Sequence, residues 1–432
     1  MAKWLRGLRV APATLVTLCL ALCCASCSSA AVGLVSSADV ASVAPGQQLW
    51  ARTVPGGCCS VGAVSPGGTT VFVSGYVKTH FETVAYSAAT GAQLWAKAYQ
   101  GGEFSVPRAI TVSPDGARVY VTGTVSVRAA PDAGVTVAYD ARTGKQLWAS
   151  RYLPKRGASM SALAVSPDGT SLYVAGSGRG SVGQSQFSVI GYAAATGKQR
   201  WVREYTSAEL GSAASVAVSP DGKTIYATGA VGGAGGSSAL TVAYGAAGTL
   251  KWADRYTSPY GGFAAGSQIV AGPGGGTVYV GGRESNASGH VYIATLAYRA
   301  ATGQRMWRDQ LDGGTPDIAV TPDGRKVIVS GSRNRTQDAI AAYNASTGGT
   351  EWARLAPGPD TVPSGLVISP RGDTMFIGGN HTVAYSVADG SVLWMTSDAH
   401  GSSVIGLTGD GTRLFGTRSI SSSGMTTVAY QT

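Results

Sequence analysis

Short runs of alternating apolar and polar residues fill the chain from about residue 47 to its end, broken by clusters of Gly, Pro, Asp and Thr. That period of two reads as strands joined by tight turns. No apolar period of 3.6 appears after the first 30 residues. The runs also repeat. Val112-Ser113-Pro114-Asp115-Gly116 recurs at 165–169 and 218–222, and with Thr for Ser at 320–324. Looser copies stand at 64–68, 271–275, 368–372 and 408–411. Each copy is followed by a second motif, seen at 136–148 as Thr-Val-Ala-Tyr-Asp-Ala-Arg-Thr-Gly-Lys-Gln-Leu-Trp. Its Tyr recurs at 86, 139, 192, 244, 298, 343, 385 and 430, and its Trp at 50, 95, 148, 201, 252, 307, 352 and 394. The period of roughly 50 residues lies in the range of propeller blades.

Each unit divides into four strands. In the unit quoted, strand a is expected at 109–112, b at 119–121, c at 135–139 and d at 146–151. In the a–b turn Pro presets φ, Asp bonds its own backbone and Gly takes positive φ. The ends fix the closure. The repeats begin with a lone strand d, Gln47-Gln48-Leu49-Trp50, and end on a strand c, Thr427-Val428-Ala429-Tyr430. The N-terminal strand should therefore complete the last blade. The fold class is all-β: an eight-bladed propeller of four-stranded blades.

The Ala-Tyr-x-Ala-x-Thr-Gly-x-x-Leu-Trp run resembles the PQQ repeat of quinoprotein alcohol dehydrogenase-like propellers. The Ser-Pro-Asp-Gly-x-x-Val-Tyr-Val-Thr-Gly half is similar to the surface-layer YVTN repeat. Together they cover nearly all of 47–430. The resemblance implies that Trp95, Trp148, Trp201, Trp307 and Trp352 dock on Thr-Gly turns and lock neighbouring blades. Trp252 departs, since Gly245-Ala246-Ala247-Gly248 lacks the Thr, and Trp394 departs, since it follows Asp389-Gly390. These are packing motifs and carry no chemistry of their own.

Strand alternation puts the a–b and c–d turns on one face of the disc and the b–c and d–a connections on the other. The tight repeated turns occupy the first face and the variable segments the second, so binding is expected on the second. Its candidate residues are His80, Arg128, Arg179, Arg283, His290, Arg333 and His381. None of the four His, including His400, has a partner at ligand spacing. No cofactor is expected. The quinoprotein alternative, with PQQ and calcium, rests on the vicinal Cys58-Cys59 pair, because some PQQ alcohol dehydrogenases place such a disulfide over the cofactor. No Glu/Asn/Asp set for calcium accompanies it. A loop-stiffening disulfide is the preferred reading of the pair.

Composition adds an address. Lys3, Arg6 and Arg9 precede an apolar run from Ala13 to Cys24, too short to span a bilayer and followed by small residues. Residues 1–27 read as a signal peptide. Cys24-Ala25-Ser26-Cys27 resembles the lipoprotein signal, with Cys24 where Leu is usual, and makes Cys27 the lipidation site; cleavage after Ala30 is the alternative. Residues 28–44 are a tether and 45–432 the propeller. Lys3, Arg6 and Arg9 of the signal contribute three charges to the net +10, and much of the rest is spread as single cations after the repeat Trp, from Arg52 to Arg354, on strand d at the blade edge, where charge discourages aggregation. That pattern is not a nucleic-acid footprint. The reading is an extracytoplasmic, membrane-anchored or secreted monomer: a non-catalytic binding scaffold for a protein, peptide or glycan. The alternative is a PQQ-dependent oxidoreductase or a lactonase-like hydrolase on the same fold.

Overall fold

A computed structural model describes residues 43–432 except 180–184, 206–209, 234–235, 334–336, 357–363, 397–402 and 421–423; of residues 59, 233, 315, 419 and 420 it describes the backbone alone. The described residues form eight antiparallel four-stranded sheets. Blades 1 to 7 span residues 57–99, 104–152, 158–205, 210–256, 261–312, 314–356 and 366–395. Blade 8 takes strands a, b and c from 403–431 and strand d from Gln48–Val54. The closing strand pairs from Gln48 opposite Tyr430 to Val54 opposite Met425. The innermost strands touch their neighbours all round the ring, including blade 8 against blade 1.

The a–b turns show why their sequence repeats. Ser113 Oγ donates to Asp115 Oδ1 at 2.5 Å, and the Ala117 and Arg118 amides close onto Asp115 and Ser113. Gly116 sits at φ 71°, in the left-handed region that favours glycine. The Ser113 hydroxyl, then the Ala117 amide, hold the Asp115 carboxyl below its usual range. Asp168, Asp221, Asp323, Asp373 and Asp410 are lowered in the same direction by the same kind of hydroxyl bond.

The repeat Trp is aimed by a β-bulge. In blade 2, Tyr139 pairs with Gln146 and Ala138 with Trp148, leaving Leu147 unpaired and half exposed. The indole is turned into the next blade. Trp95 Nε1 donates to Ala141 O at 2.9 Å and Trp148 Nε1 to Ala194 O at 3.0 Å. Trp201, Trp307 and Trp352 reach Ala246, Ala345 and Val387 carbonyls in the same way. Trp252 donates to Ala300 O, and Trp50 to Ala88 O across the closure. Trp394 lies against Gly46, the turn glycine before the closing strand. Each indole thus meets the turn of the following blade, not its own. The turn that lacks Thr receives Trp201, and it does so fully, because the acceptor is a backbone carbonyl and the seat is a glycine. Thr143 instead braces its own turn by donating to Asp140 at 2.7 Å. The cations after Trp also serve the seam, beyond guarding an edge: Arg52 Nε donates to Gly91 O at 2.8 Å and Arg203 Nε to Gly248 O at 2.7 Å.

Strands are longer than the motifs. Strand a of blade 2 is Phe104–Val112, not 109–112, and strands b to d are Arg118–Ser126, Ala133–Asp140 and Gln146–Tyr152. A second bulge, between Pro107 and Ala109, resets the alternation and hides the first half of the strand from a period-two reading. Equivalent shifts interrupt strand a in blades 1, 3, 4, 5, 6 and 8.

Candidate functional site on the b–c and d–a face

On the b–c and d–a face, an open groove of about 660 Å³ crosses blades 3 to 5. Its floor is the loop end of blade 4: Leu210, Gly211 and Ser212 from strand a, and Ala230, Val231 and Gly232 from strand b. Ser185 of blade 3 and Phe263 of blade 5 form its two walls. Its described lining residues carry no ionisable group. Leu210 is 54% exposed although it belongs to the a strand, whose other end is packed against blades 3 and 5. The glycines keep the floor low: a Cβ on Gly211 would stand 2.9 Å from the Phe187 amide, and one on Gly232 2.3 Å from Gly236 O.

A polar cluster lies one seam further round. Asp312, the last residue of strand d in blade 5, bonds His290 Nε2 at 2.8 Å and pairs with Arg333 Nε of blade 6 at 2.7 Å. His290 stands edge-on to Tyr292, with centroids 4.7 Å apart, and Tyr292 lies 6.1 Å from the half-exposed Tyr260. Arg283 reaches the same seam, its Cδ 3.9 Å from where a Gly314 Cβ would be. Its strand neighbour Glu284 points to the other side of the blade and is fully buried. There it accepts from Tyr256 at 2.5 Å and pairs with Arg308, whose Nε also donates to the Tyr256 hydroxyl oxygen at 2.6 Å. Burial, and then the bond to Glu284, push the Tyr256 hydroxyl pKa up. This triad ties blade 4 to blade 5 and leaves its carboxylate no free face.

An acid clasp joins innermost strands of the ring. Asp317 of blade 6 accepts from Gln268 of blade 5 at 2.5 Å and from the Gly365 amide of the blade 7 approach at 2.8 Å. Desolvation there raises its carboxyl pKa. Both oxygens are engaged by the protein. Among the described residues no three His, Cys, Asp or Glu group as metal ligands.

The chain matches the family model described as outer membrane protein assembly factor BamB over residues 36–280 and 242–431, which together take in the whole ring. It belongs to that family. No curated protein gives a significant match. Among solved structures, BamB from Moraxella catarrhalis is 15% identical, covers 89% of this chain and 97% of its own, and superposes with a TM-score of 0.54. A Kuenenia stuttgartiensis hydrazine synthase chain is 18% identical over 76% of this chain and 95% of its own, with a TM-score of 0.51. The Dos1 propeller is 10% identical over 91% and 96%, with a TM-score of 0.60. At such identities the likeness is one of fold.

In this BamB-family propeller the seven residues expected on the ligand face separate into groups. Arg283, His290 and Arg333 meet at the seam of blades 5 and 6. Arg179 pairs across its hairpin with Ser185, at one end of the groove. His80 bonds Glu82 at 3.1 Å and His381 the Thr396 carbonyl at 2.9 Å, each within its own blade, and Arg128 stands exposed on a turn of blade 2. Four of the seven correct the loop assignment: His80, Arg179, Arg283 and Arg333 lie in strands, because the hairpins run on past the repeat motif. Cys58 lies in strand a of blade 1 opposite Tyr76, inside the bulged stretch. The Cys59 side chain, Cys27 and His400 lie outside the described residues.

Sequence reasoning missed Asp312, Tyr260, Phe263 and Leu210. Asp312 carries no motif, and its partners are about twenty residues away on either side. The groove is built from Gly, Ser and Ala, residues with no chemical signature. The available signal was the pair of apolar residues, Leu210 and Phe263, at or near the start of two successive a strands.

Proposed function

We propose that this protein is a non-catalytic scaffold that binds a partner polypeptide along the loop face of blades 3 to 5. The observation that carries this reading is the groove itself. It is open, its described lining is mostly apolar and free of ionisable groups, and it is floored by close-set backbone. An open apolar groove suits a polypeptide segment better than a small substrate, which is usually enclosed. The tight-turn face carries clefts of similar size, but they are lined by the Asp and Arg side chains of the turns and are more polar. The family's description as an assembly factor agrees with a protein ligand. We also place the scaffold outside the cytoplasm, tethered through a lipid on Cys27. That reading rests on the basic start, the short apolar run and the small residues before Cys27.

The test is site-specific photo-crosslinking in the native cell. A photoreactive residue at Leu210 or Phe263 should give discrete protein adducts, and one at Lys145, on the tight-turn face, should give none. Adducts from Lys145 alone, or from no position, would contradict the assignment.

A further inference from the structure

The a–b and c–d turns all lie within the described residues, and their charge is uneven. On blades 2 to 5 these turns, with two flanking residues on each side, carry nine cations and four acids. The same positions on blades 6, 7, 8 and 1 carry four cations and five acids. Arg142, Lys145, Lys198, Lys223, Lys251 and Arg299 stand exposed on the cationic half. Its acids are drawn into their own turns: Asp140 accepts from the Thr143 amide at 2.8 Å and Asp168 from the Thr170 amide at 3.0 Å. Apolar side chains stand among the cations where strand d begins, with Leu147, Leu250 and Met306 all exposed. The chain enters the ring on this same face. Pro45 lines a cleft with Pro370 and Asp410 of the blade 7 and blade 8 turns, and the Gly46 amide donates to the Gln431 carbonyl as the closing strand begins. That entry lies across the ring from blades 3 and 4.

We infer that the tight-turn face of blades 2 to 5 rests on an anionic lipid bilayer. This rests on the lipid-anchor reading above and deepens it. Each exposed Lys or Arg close to an anionic membrane surface strengthens binding by about fivefold. Exposed Leu and Met beside such cations enter the boundary between headgroups and acyl chains, which favours a bilayer over a soluble polyanion. A lipid on Cys27 holds the entry side of the ring, and the cations hold the side across from it. Both are on one face, so both engage when the disc lies flat. The loop-face groove then points away from the bilayer and stays open to its partner.

The test uses the secreted Cys27→Ser chain, so that a lipid contributes nothing, and sediments it with vesicles. One set is phosphatidylcholine alone and the other an equal mixture of phosphatidylcholine and phosphatidylglycerol. At low salt the chain should bind the anionic vesicles at least about tenfold more tightly. The preference should disappear at about 0.5 M salt, where screening is strong. The Lys145→Glu, Lys198→Glu, Lys223→Glu triple variant should lose at least about tenfold in affinity for the anionic vesicles. The Arg128→Glu, Arg179→Glu, Arg283→Glu variant makes the same charge change on the loop face and should bind as the parent does. All six positions are exposed, so unchanged melting temperatures check that both variants fold. No preference for the anionic vesicles, or an equal loss in the two variants, overturns the inference. Displacement by glycerol phosphate at a concentration too low to screen assigns the cations to a soluble phosphate and overturns it as well. Each of these leaves the lipid anchor standing, because release of the Cys27→Ser chain from cells decides that reading separately.

Discussion

Two glycines of blade 2 share a backbone conformation and differ in surroundings, which isolates what Trp docking contributes. Gly116 in the a–b turn has φ 71° and Gly144 in the c–d turn has φ 70°. A Cβ on Gly116 meets nothing closer than Pro66 Cδ at 3.9 Å. A Cβ on Gly144 would stand 2.6 Å from Trp95 Cδ2. Alanine at either position incurs the left-handed cost, on the order of 1–2 kcal/mol. Gly144→Ala must also push the indole away. That adds an overpacking cost of about 1–3 kcal/mol and endangers the Trp95–Ala141 hydrogen bond, with a net value of about 1 kcal/mol. The expected losses are about 1–2 kcal/mol for Gly116→Ala and about 3–6 kcal/mol for Gly144→Ala. For a unit of roughly 390 residues, each kcal/mol lowers the melting temperature by only about 1.2 °C. Calorimetry should therefore find drops of about 2 °C and 5 °C. Equal drops would refute the claim that the glycine is there to seat the indole of the preceding blade.

Other consequences can be checked as directly. Deleting residues 44–54 removes the closing strand together with Trp50, whose loss alone is on the order of 3–5 kcal/mol; the melting temperature should fall by several degrees, and an unchanged value would contradict the closure. The turn aspartates have folded pKa values below the unfolded one, so their contribution is present above the ordinary Asp range and is lost as pH falls through the folded values. Melting temperature should therefore drop between about pH 4 and pH 2 and stay level from pH 5 to 7, whereas a flat profile to pH 2 would exclude these bonds as stabilising. Cys27→Ser should release the protein into the medium, and a wild-type N-terminus at Ala31 would rule out the lipid anchor.

The ring was legible because its information is local and repeated. Ser-Pro-Asp-Gly builds a turn from four adjacent residues, and Leu-Trp announces a bulge and an indole within two. The direction of docking was not legible. Trp95 acts on Gly144, 49 residues later, and no spacing rule separates that from the turn of its own blade. The strand ends near the site were hidden by the bulges at Arg108 and its counterparts, which break the alternation where the chain nears the ligand face. The groove depends on what the backbone leaves empty above Gly211 and Gly232, and an absence of side chain has no pattern to read. Asp312 gathers His290 and Arg333 only because the blades bring three distant strand ends together.

The claim that matters most is that the loop face of blades 3 to 5 holds the partner. Amide hydrogen exchange on the mature chain, with and without the protein recovered from a Leu210 adduct, tests it most directly. The account predicts slowed exchange at 210–212, 230–237 and 261–265, with the turns at 113–118 and 140–146 unchanged. Protection at those turns, with none along the groove, would contradict it.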